Sequence, residues 1–185
     1  MTDTLALGYS GGGDSTALLH ALKACFPGVA LHALIVDHGL RPESAEEAAD
    51  NADCARDLGA EPHILRWSSP RKNQAAARHA RHALLAGACE GLCVSLLCLG
   101  HTLDDRIETL RMRANRKGGW RTLTGMTALD ASPIWPEGRN LTVARPLLEL
   151  RRDELRTYLR RIKARWVDDP SNDDAQFERI RLRQE

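Results

Sequence analysis

Leu5-Ala6-Leu7-Gly8-Tyr9 is an apolar run of strand character, and from Asp14 to about Ala24 the residues Ala17, Leu18, Ala21 and Leu22 fall at helical spacing. The two are joined only by Ser10-Gly11-Gly12-Gly13-Asp14-Ser15. A strand that turns at once into a helix opens an α/β layer fold, and no other feature of the chain narrows its architecture as much. Three glycines remove Cβ atoms, so backbone N–H groups can close around an oxyanion, and the helix N-terminus adds partial positive charge. Ser10 and Ser15 add hydroxyl donors for phosphate oxygens. Asp14 would be repelled by a bare phosphate, so its presence calls for a Mg²⁺ that bridges it to the anion.

Other glycine-loop chemistries fit less well. No Gly-Lys-[Ser/Thr] follows, which excludes a Walker loop, and Thr16 stands where a dinucleotide fingerprint needs its third glycine. Gly8-Tyr9-Ser10-Gly11-Gly12 matches the Gly-x-Ser-x-Gly nucleophile elbow of hydrolases. An elbow after the first strand, however, has no earlier strand to supply a second oxyanion donor. The triad partners on offer, Asp37 and His101, have no diagnostic spacing.

The strand–helix alternation recurs. Val29 to Asp37 is apolar and ends in His38-Gly39-Leu40-Arg41-Pro42, after which Ser44-Ala45-Glu46-Glu47 has the capping-box pattern and opens an Ala-rich helix to about Leu58. Pro62 to Trp67 is a third strand and Gln74 to Glu90 a third helix. Val94-Ser95-Leu96-Leu97-Cys98-Leu99 is nearly all apolar, as suits a strand covered on both faces. After Gly100 a polar turn opens a helix from Asp104 to about Arg113. Leu141 to Ala144 is a last strand, and Leu150 to Ile162 a charged amphipathic helix. Lys117-Gly118-Gly119, Pro133-Ile134-Trp135-Pro136 and Asp168-Asp169-Pro170-Ser171-Asn172 read as loops or turns. The whole predicts an α/β fold: a doubly wound, mostly parallel sheet with helices on both faces and its ligand at the strand C-termini.

Composition agrees with this. A chain of 185 residues is one domain, able to bury about 70% of its unfolded surface without staples. Apolar residues at 43% and charged ones at 28% exclude a disordered or collagen-like chain. No apolar run approaches the roughly 18 residues of a membrane span. Met1-Thr2-Asp3-Thr4 leads into the first strand with no basic n-region, so a cytoplasmic location is expected. Five cysteines (Cys25, Cys54, Cys89, Cys93 and Cys98) are odd in number and sparse, which argues for reduced thiols. Cys89, Cys93 and Cys98 lack the C-x2-C spacing of a metal knuckle and are expected to be small buried hydrophobes. The net charge of +1 conceals an acidic first part (−5 over 1–105) and a basic remainder (+6 over 106–185), a hint of a polyanionic partner.

A second acidic site accompanies the loop. In Gly100-His101-Thr102-Leu103-Asp104-Asp105-Arg106-Ile107-Glu108-Thr109, Asp105 and Glu108 are i,i+3 neighbours able to converge on a cation or an amine, whereas Asp104 serves as a helix-dipole complement. Arg78 and Arg81 share one helix face. Arg111 and Arg113, with Arg116, Lys117 and Arg121, make a second basic set.

Taken in order, these motifs resemble the tRNA(Ile)-lysidine synthases among the N-type ATP pyrophosphatases. Ser10–Ser15 resembles their pyrophosphate loop, and His38-Gly39-Leu40-Arg41 with Glu43-Ser44 a second signature. Asn73-Gln74-Ala75 with Arg78 and Arg81, then Gly100-His101 with Asp104-Asp105 and Glu108-Thr109, resemble a third and a fourth. Gly125-Met126, Arg145-Pro146-Leu147-Leu148, and Trp166 with Asp169-Pro170-Ser171-Asn172 follow in the family's order. The resemblance implies an adenine nucleotide alpha-hydrolase-like fold and ATP-dependent joining of free L-lysine to C2 of the wobble cytidine of tRNA(Ile). The reaction would pass through an adenylated cytidine and release AMP and pyrophosphate. It further implies ATP held by Ser10, Gly11, Gly12, Gly13, Asp14 and Ser15, with Mg²⁺ on Asp14 and Asp105. Chemistry would rest on Asp14, Asp105, Glu108, Arg41 and Arg145, and RNA contact on Arg78, Arg81, Arg111 and Arg113. Residues 1–185 would be the catalytic domain, with 150–185 a helical C-terminal appendage and the family's C-terminal tRNA-binding domains absent. No membrane is implied, and a homodimer is compatible with the reading. The alternatives are an ATP- or AMP-binding module of the same loop family, or a thiolase-type tRNA-modifying pyrophosphatase.

Overall fold

The apolar run before the glycine loop and the amphipathic stretch after it form β1 (Thr4–Gly8) and α1 (Gly13–Cys25). The computed structural model describes residues 4–39, 41–68, 73–115 and 125–167. The chain continues through β2 (Ala30–Asp37), α2 (Ser44–Asp57), β3 (Glu61–Arg66), α3 (Gln74–Gly91), β4 (Leu96–Leu99) and α4 (Leu103–Asn115). It closes with β5 (Leu129–Ala131), β6 (Thr142–Ala144) and α5 (Arg152–Arg161).

The strands make one sheet in the order β3-β2-β1-β4-β6-β5. All pairings are parallel except that of β5 with β6. The chain first builds outward from β1 through β2 to β3, then returns to lay β4 on the other side of β1. Strand order therefore reverses between β1 and β4, and a crevice opens beyond their C-terminal ends.

Both faces of the sheet are covered, which is why its central strands lack polar alternation. Leu7, Ile35 and Cys98 face a core with Leu18 and Leu19 of α1 and Leu155 and Leu159 of α5. Their neighbours Ala6, Leu34 and Leu97 face a second core with Leu85 and Ala86 of α3 and Val143 of β6. Residues 152–161 thus belong to the main core, and the expected appendage beyond 167 lies outside the described residues. Among the described residues no helix is long and apolar enough to cross a membrane.

Three local expectations are corrected. Ser44 is not the N-cap of α2. Glu43 holds that place without a side-chain cap, and the Ser44 hydroxyl instead bonds the Asp37 carboxylate. Leu129-Asp130-Ala131 is a strand that no apolar pattern announces, because both Leu129 and Ala131 of this edge element are exposed. Cys89 and Cys98 are buried, with their thiols pushed up by burial to about 12 and about 11, but Cys93 is exposed.

Candidate active site

The glycine loop lies at the C-terminal end of β1, at the reversal of strand order. Gly11 has φ +73°, and a Cβ there would come 1.9 Å from Asn51 Oδ1, so the position requires glycine for both reasons. Asn51, on α2, donates its side-chain amide to the Ser10 carbonyl at 3.3 Å. Beneath the loop the Gly11 carbonyl accepts from the Val167 amide (2.9 Å) and the Thr16 hydroxyl (3.3 Å). Ser15 donates its hydroxyl to the Gly12 carbonyl at 3.0 Å and lies 3.2 Å from the Ser10 hydroxyl. Gly12 differs from Gly11. Its backbone is extended, and a Cβ would meet nothing closer than Ser10 Oγ at 3.5 Å. As N-cap and first-turn residues of α1, Gly12, Gly13, Asp14 and Ser15 have amides without intrahelical acceptors. That is an anion-binding arrangement.

The loop after β4 closes against this one. A Cβ on Gly100 would lie 3.1 Å from the backbone of Asp14 and Ser15, a tight contact, so a side chain there would push the two loops slightly apart. Thr102 and Asp105 then cap α4 reciprocally: the Thr102 amide and hydroxyl both donate to Asp105 Oδ2 at 2.8 Å, and the Asp105 amide reaches back to the hydroxyl. This aims Asp105 Oδ1 at the crevice.

Asp14, Asp105 and Glu108 do converge, and the cation between them is Arg152 of α5. Its guanidinium donates to Asp14 Oδ2 (3.1 Å), Asp105 Oδ1 (2.6 Å) and Glu108 Oε1 (3.1 Å). Its backbone amide donates to Asp104 Oδ2 at 2.9 Å, giving Asp104 a tie to α5 beyond the dipole role expected of it. Burial raises the Asp14 carboxyl above its ordinary range; Arg152 opposes this and Asp105 adds to it. Burial also pushes Asp105 upward, but Arg152 and the two Thr102 bonds outweigh it and hold the carboxyl below the ordinary range. Burial works against the charge of Arg152, and the three carboxylates more than restore it. Asp14 Oδ1 is buried, with no hydrogen-bond donor in reach among the described residues.

A cationic group stands beside the acids. Arg145 donates to His101 Nδ1 (3.3 Å), to the Thr127 carbonyl (2.8 Å) and to the Asp130 carboxylate. Burial brings the His101 imidazole down to about 4; Asp105 opposes this, while Arg81, Arg145 and Arg78 assist. Burial with Arg81, Arg78 and Arg145 does the same to His82. Arg78 and Arg81 therefore act on the same imidazoles as Arg145. They extend from the first turns of α3, which Asn73 caps by accepting from the Ala75 and Ala76 amides.

Arg41 is placed apart, paired at 2.9 Å with Glu47 on the exposed start of α2. Arg111 is exposed and Arg113 half-buried toward the end of α4, while Arg116, Lys117, Arg121 and Asp169-Pro170-Ser171-Asn172 lie outside the described residues. The hydrolase triad is not assembled. Ser10 Oγ faces Ser15, Asp37 Oδ1 accepts from the Gly39 amide, and His101 Nδ1 is bonded to Arg145. Sequence reasoning missed Arg152, Asn51 and Thr102. One signal pointed to Arg152: an arginine in the first turn of a helix opposes the helix dipole, so its partner has to lie elsewhere.

The PP-loop domain family matches residues 1–185. The tRNA(Ile)-lysidine synthase of Hyphomonas neptunium is 47% identical over 97% of this chain and 49% of its own length. That of Caulobacter vibrioides is 42% identical over 97% of this chain and 44% of its own. The chain thus spans about half the length of the curated relatives it matches. Among solved structures, the U34-tRNA thiolase NcsA from Methanococcus maripaludis shares the fold, with a TM-score of 0.74 at 19% identity over 91% of this chain and 60% of that one.

Proposed function

The chain belongs to the PP-loop domain family, and from that premise we propose that it binds ATP on Ser10–Ser15 and uses it to join free L-lysine to C2 of the wobble cytidine of tRNA(Ile). The observation that carries the proposal is the meeting of the glycine loop with Asp14, Asp105 and Glu108 around a single cationic group, where strand order reverses. The names of its curated relatives support the choice of substrates.

The geometry supports the following roles. Amides of Gly12 to Ser15, with the Ser10 and Ser15 hydroxyls, hold the β- and γ-phosphates as the leaving group. This exposes the α-phosphorus to the cytosine O2. The O2–P bond forms as the α–β bridge breaks, leaving adenylated cytidine and pyrophosphate. The lysine ammonium then gives up a proton to solvent, and the free ε-amine bonds C2 as the C2–O bond breaks and AMP leaves. Stabilisation is by positioning and fixed dipoles rather than by a covalent enzyme intermediate.

Three carboxylates share the Arg152 guanidinium, an excess of acid over base that Arg156 near Asp14 lessens. With the donorless Asp14 Oδ1, this all-oxygen set fits a divalent cation such as Mg²⁺, held by Asp14 and Asp105. When bound, the ion would neutralise phosphate charge. Glu108 with Asp105 would hold the lysine ammonium in exchange for the Arg152 guanidinium. Arg145 and Arg41 would meet phosphate or carboxylate, and Arg78, Arg81, Arg111 and Arg113 the RNA. We place the reaction in the cytoplasm and assign residues 1–185 to its catalytic domain.

A nucleotide-binding module without ligation is the second reading, one for which the first-turn amides of Gly12 to Ser15 suffice. Thiolase chemistry on Cys89 and Cys93 is disfavoured, since the Cys89 thiol is buried and raised to about 12. Pyrophosphate release from ATP, measured with tRNA(Ile) and lysine added separately and together, decides the matter. Release that needs both supports the ligase. ATP binding with no release leaves only the module, and release indifferent to lysine sinks the amine assignment.

A further inference from the structure

A separate cluster of donor atoms lies on β2 and β3, short of the strand C-termini that carry the glycine loop. We propose that His32, Glu61 and His63 form a binding site for a divalent transition-metal ion of the Zn²⁺ class, one that clips the edge strand β3 to β2. The parallel register sets His32 opposite Glu61, and His63, two residues on, projects from the same face of β3. Leu34, the partner of His63, packs in the core with Leu85 and Ala86, so this face is the one covered by α3.

His32 Nδ1 lies 3.0 Å from His63 Nε2 and 3.3 Å from Glu61 Oε2, and His63 Nε2 lies 3.9 Å from Glu61 Oε1. Ligands about 2.0–2.1 Å from a tetrahedral Zn²⁺ stand about 3.3 Å from one another; here one atom from each residue lies within 4.8 Å of the others, close enough for a single ion to draw all three together. Proton counting points the same way. His32 Nδ1 faces both a ring nitrogen and a carboxylate oxygen, and the short nitrogen–nitrogen contact has room for one hydrogen only. A cation shared by all three atoms satisfies each lone pair. Two imidazoles and one carboxylate suit Zn²⁺ rather than Mg²⁺ or Ca²⁺, and a water would complete the fourth position. The site has a closed base and an open rim, with side-chain exposures of 11% for His32, 24% for His63 and 66% for Glu61, so an ion can enter from solvent.

The test uses Co²⁺ as a spectroscopic probe on the full chain, without nucleotide, followed by displacement with Zn²⁺. The expected result is one tetrahedral Co²⁺ per chain, its intense visible bands distinct from the weak absorption of any six-coordinate Co²⁺ on Asp14 and Asp105, no thiolate charge-transfer band, and a melting temperature raised by Zn²⁺. His63→Ala and Glu61→Gln change only partly exposed side chains of an edge strand, and each should weaken Co²⁺ at least tenfold while keeping the fold. Absence of saturable binding, a thiolate band from the cysteines, or affinity unchanged in both variants would overturn the proposal. None of these readouts involves ATP, so the outcome is independent of the nucleotide site.

Discussion

Gly12→Ala separates a glycine kept for a ligand from one kept for the fold. The residue is extended, with φ −69° and ψ 159°, a region open to alanine. Its new methyl would meet Ser10 Oγ at 3.5 Å and the Val167 carbonyl at 4.0 Å, both ordinary contacts. Folding stability should therefore hold, or rise by about 0.4–1 kcal/mol as the unfolded chain loses freedom. Bound triphosphate would fare differently, because a methyl beside Ser10 Oγ and the first-turn amides crowds an anion held by those groups. Each charge-assisted amide bond lost is worth about 1.5–3 kcal/mol, or about 10- to 150-fold in affinity. Calorimetric titration of ATP with Mg²⁺, paired with a thermal melt, reads both quantities. Gly11→Ala is the control. It forces an L-residue to φ +73° and displaces Asn51 from Ser10, so it should lose about 2–3 kcal/mol of stability. If Gly12→Ala bound ATP within about twofold of the parent while keeping its melting temperature, the triphosphate would not lie on this loop.

Arg152→Gln leaves Asp14, Asp105 and Glu108 facing one another without their cation and should cost about 3–5 kcal/mol. Millimolar Mg²⁺ should restore part of the lost melting temperature in the variant, and more than it adds to the parent. Equal increments would show that the acids do not take a divalent ion. His82 titrates near 4 when folded against an ordinary 6.5, so the unfolded chain binds the extra proton first. Its contribution is complete above about pH 6.5 and is lost as pH falls toward about 4. Melts across that window should be shallower for His82→Gln than for the parent, and identical slopes would place His82 outside the acid transition.

The architecture was legible because its cues are local. The unalternated apolar strands, the glycine turn and the spacing of Asp105 from Glu108 each predict their own geometry from neighbouring residues. What escaped detection is non-local or lacks pattern. Arg152 completes the acidic cluster from 138 residues beyond Asp14, and no spacing rule spans that separation. β5 is three residues of mostly exposed edge strand, held by backbone pairing to β6 rather than by apolar side chains. The Ser44 capping signal failed because Asp37, at the end of β2, competes for the same hydroxyl. The resemblance gives Arg145 a share in the chemistry, but nothing in the local sequence shows the partners its guanidinium takes inside the fold, and only the return of β6 beside β4 brings it to His101.

The position of α5 has a consequence for biosynthesis. A ribosome delivers the anion cradle and the carboxylates of α1 and α4 well before Arg152 emerges, and N-terminal portions of a chain begin to fold during synthesis. Until α5 docks on α1, the emerging polypeptide presents the three carboxylates without the guanidinium that bridges them. Solvent cations can share that charge in the meantime.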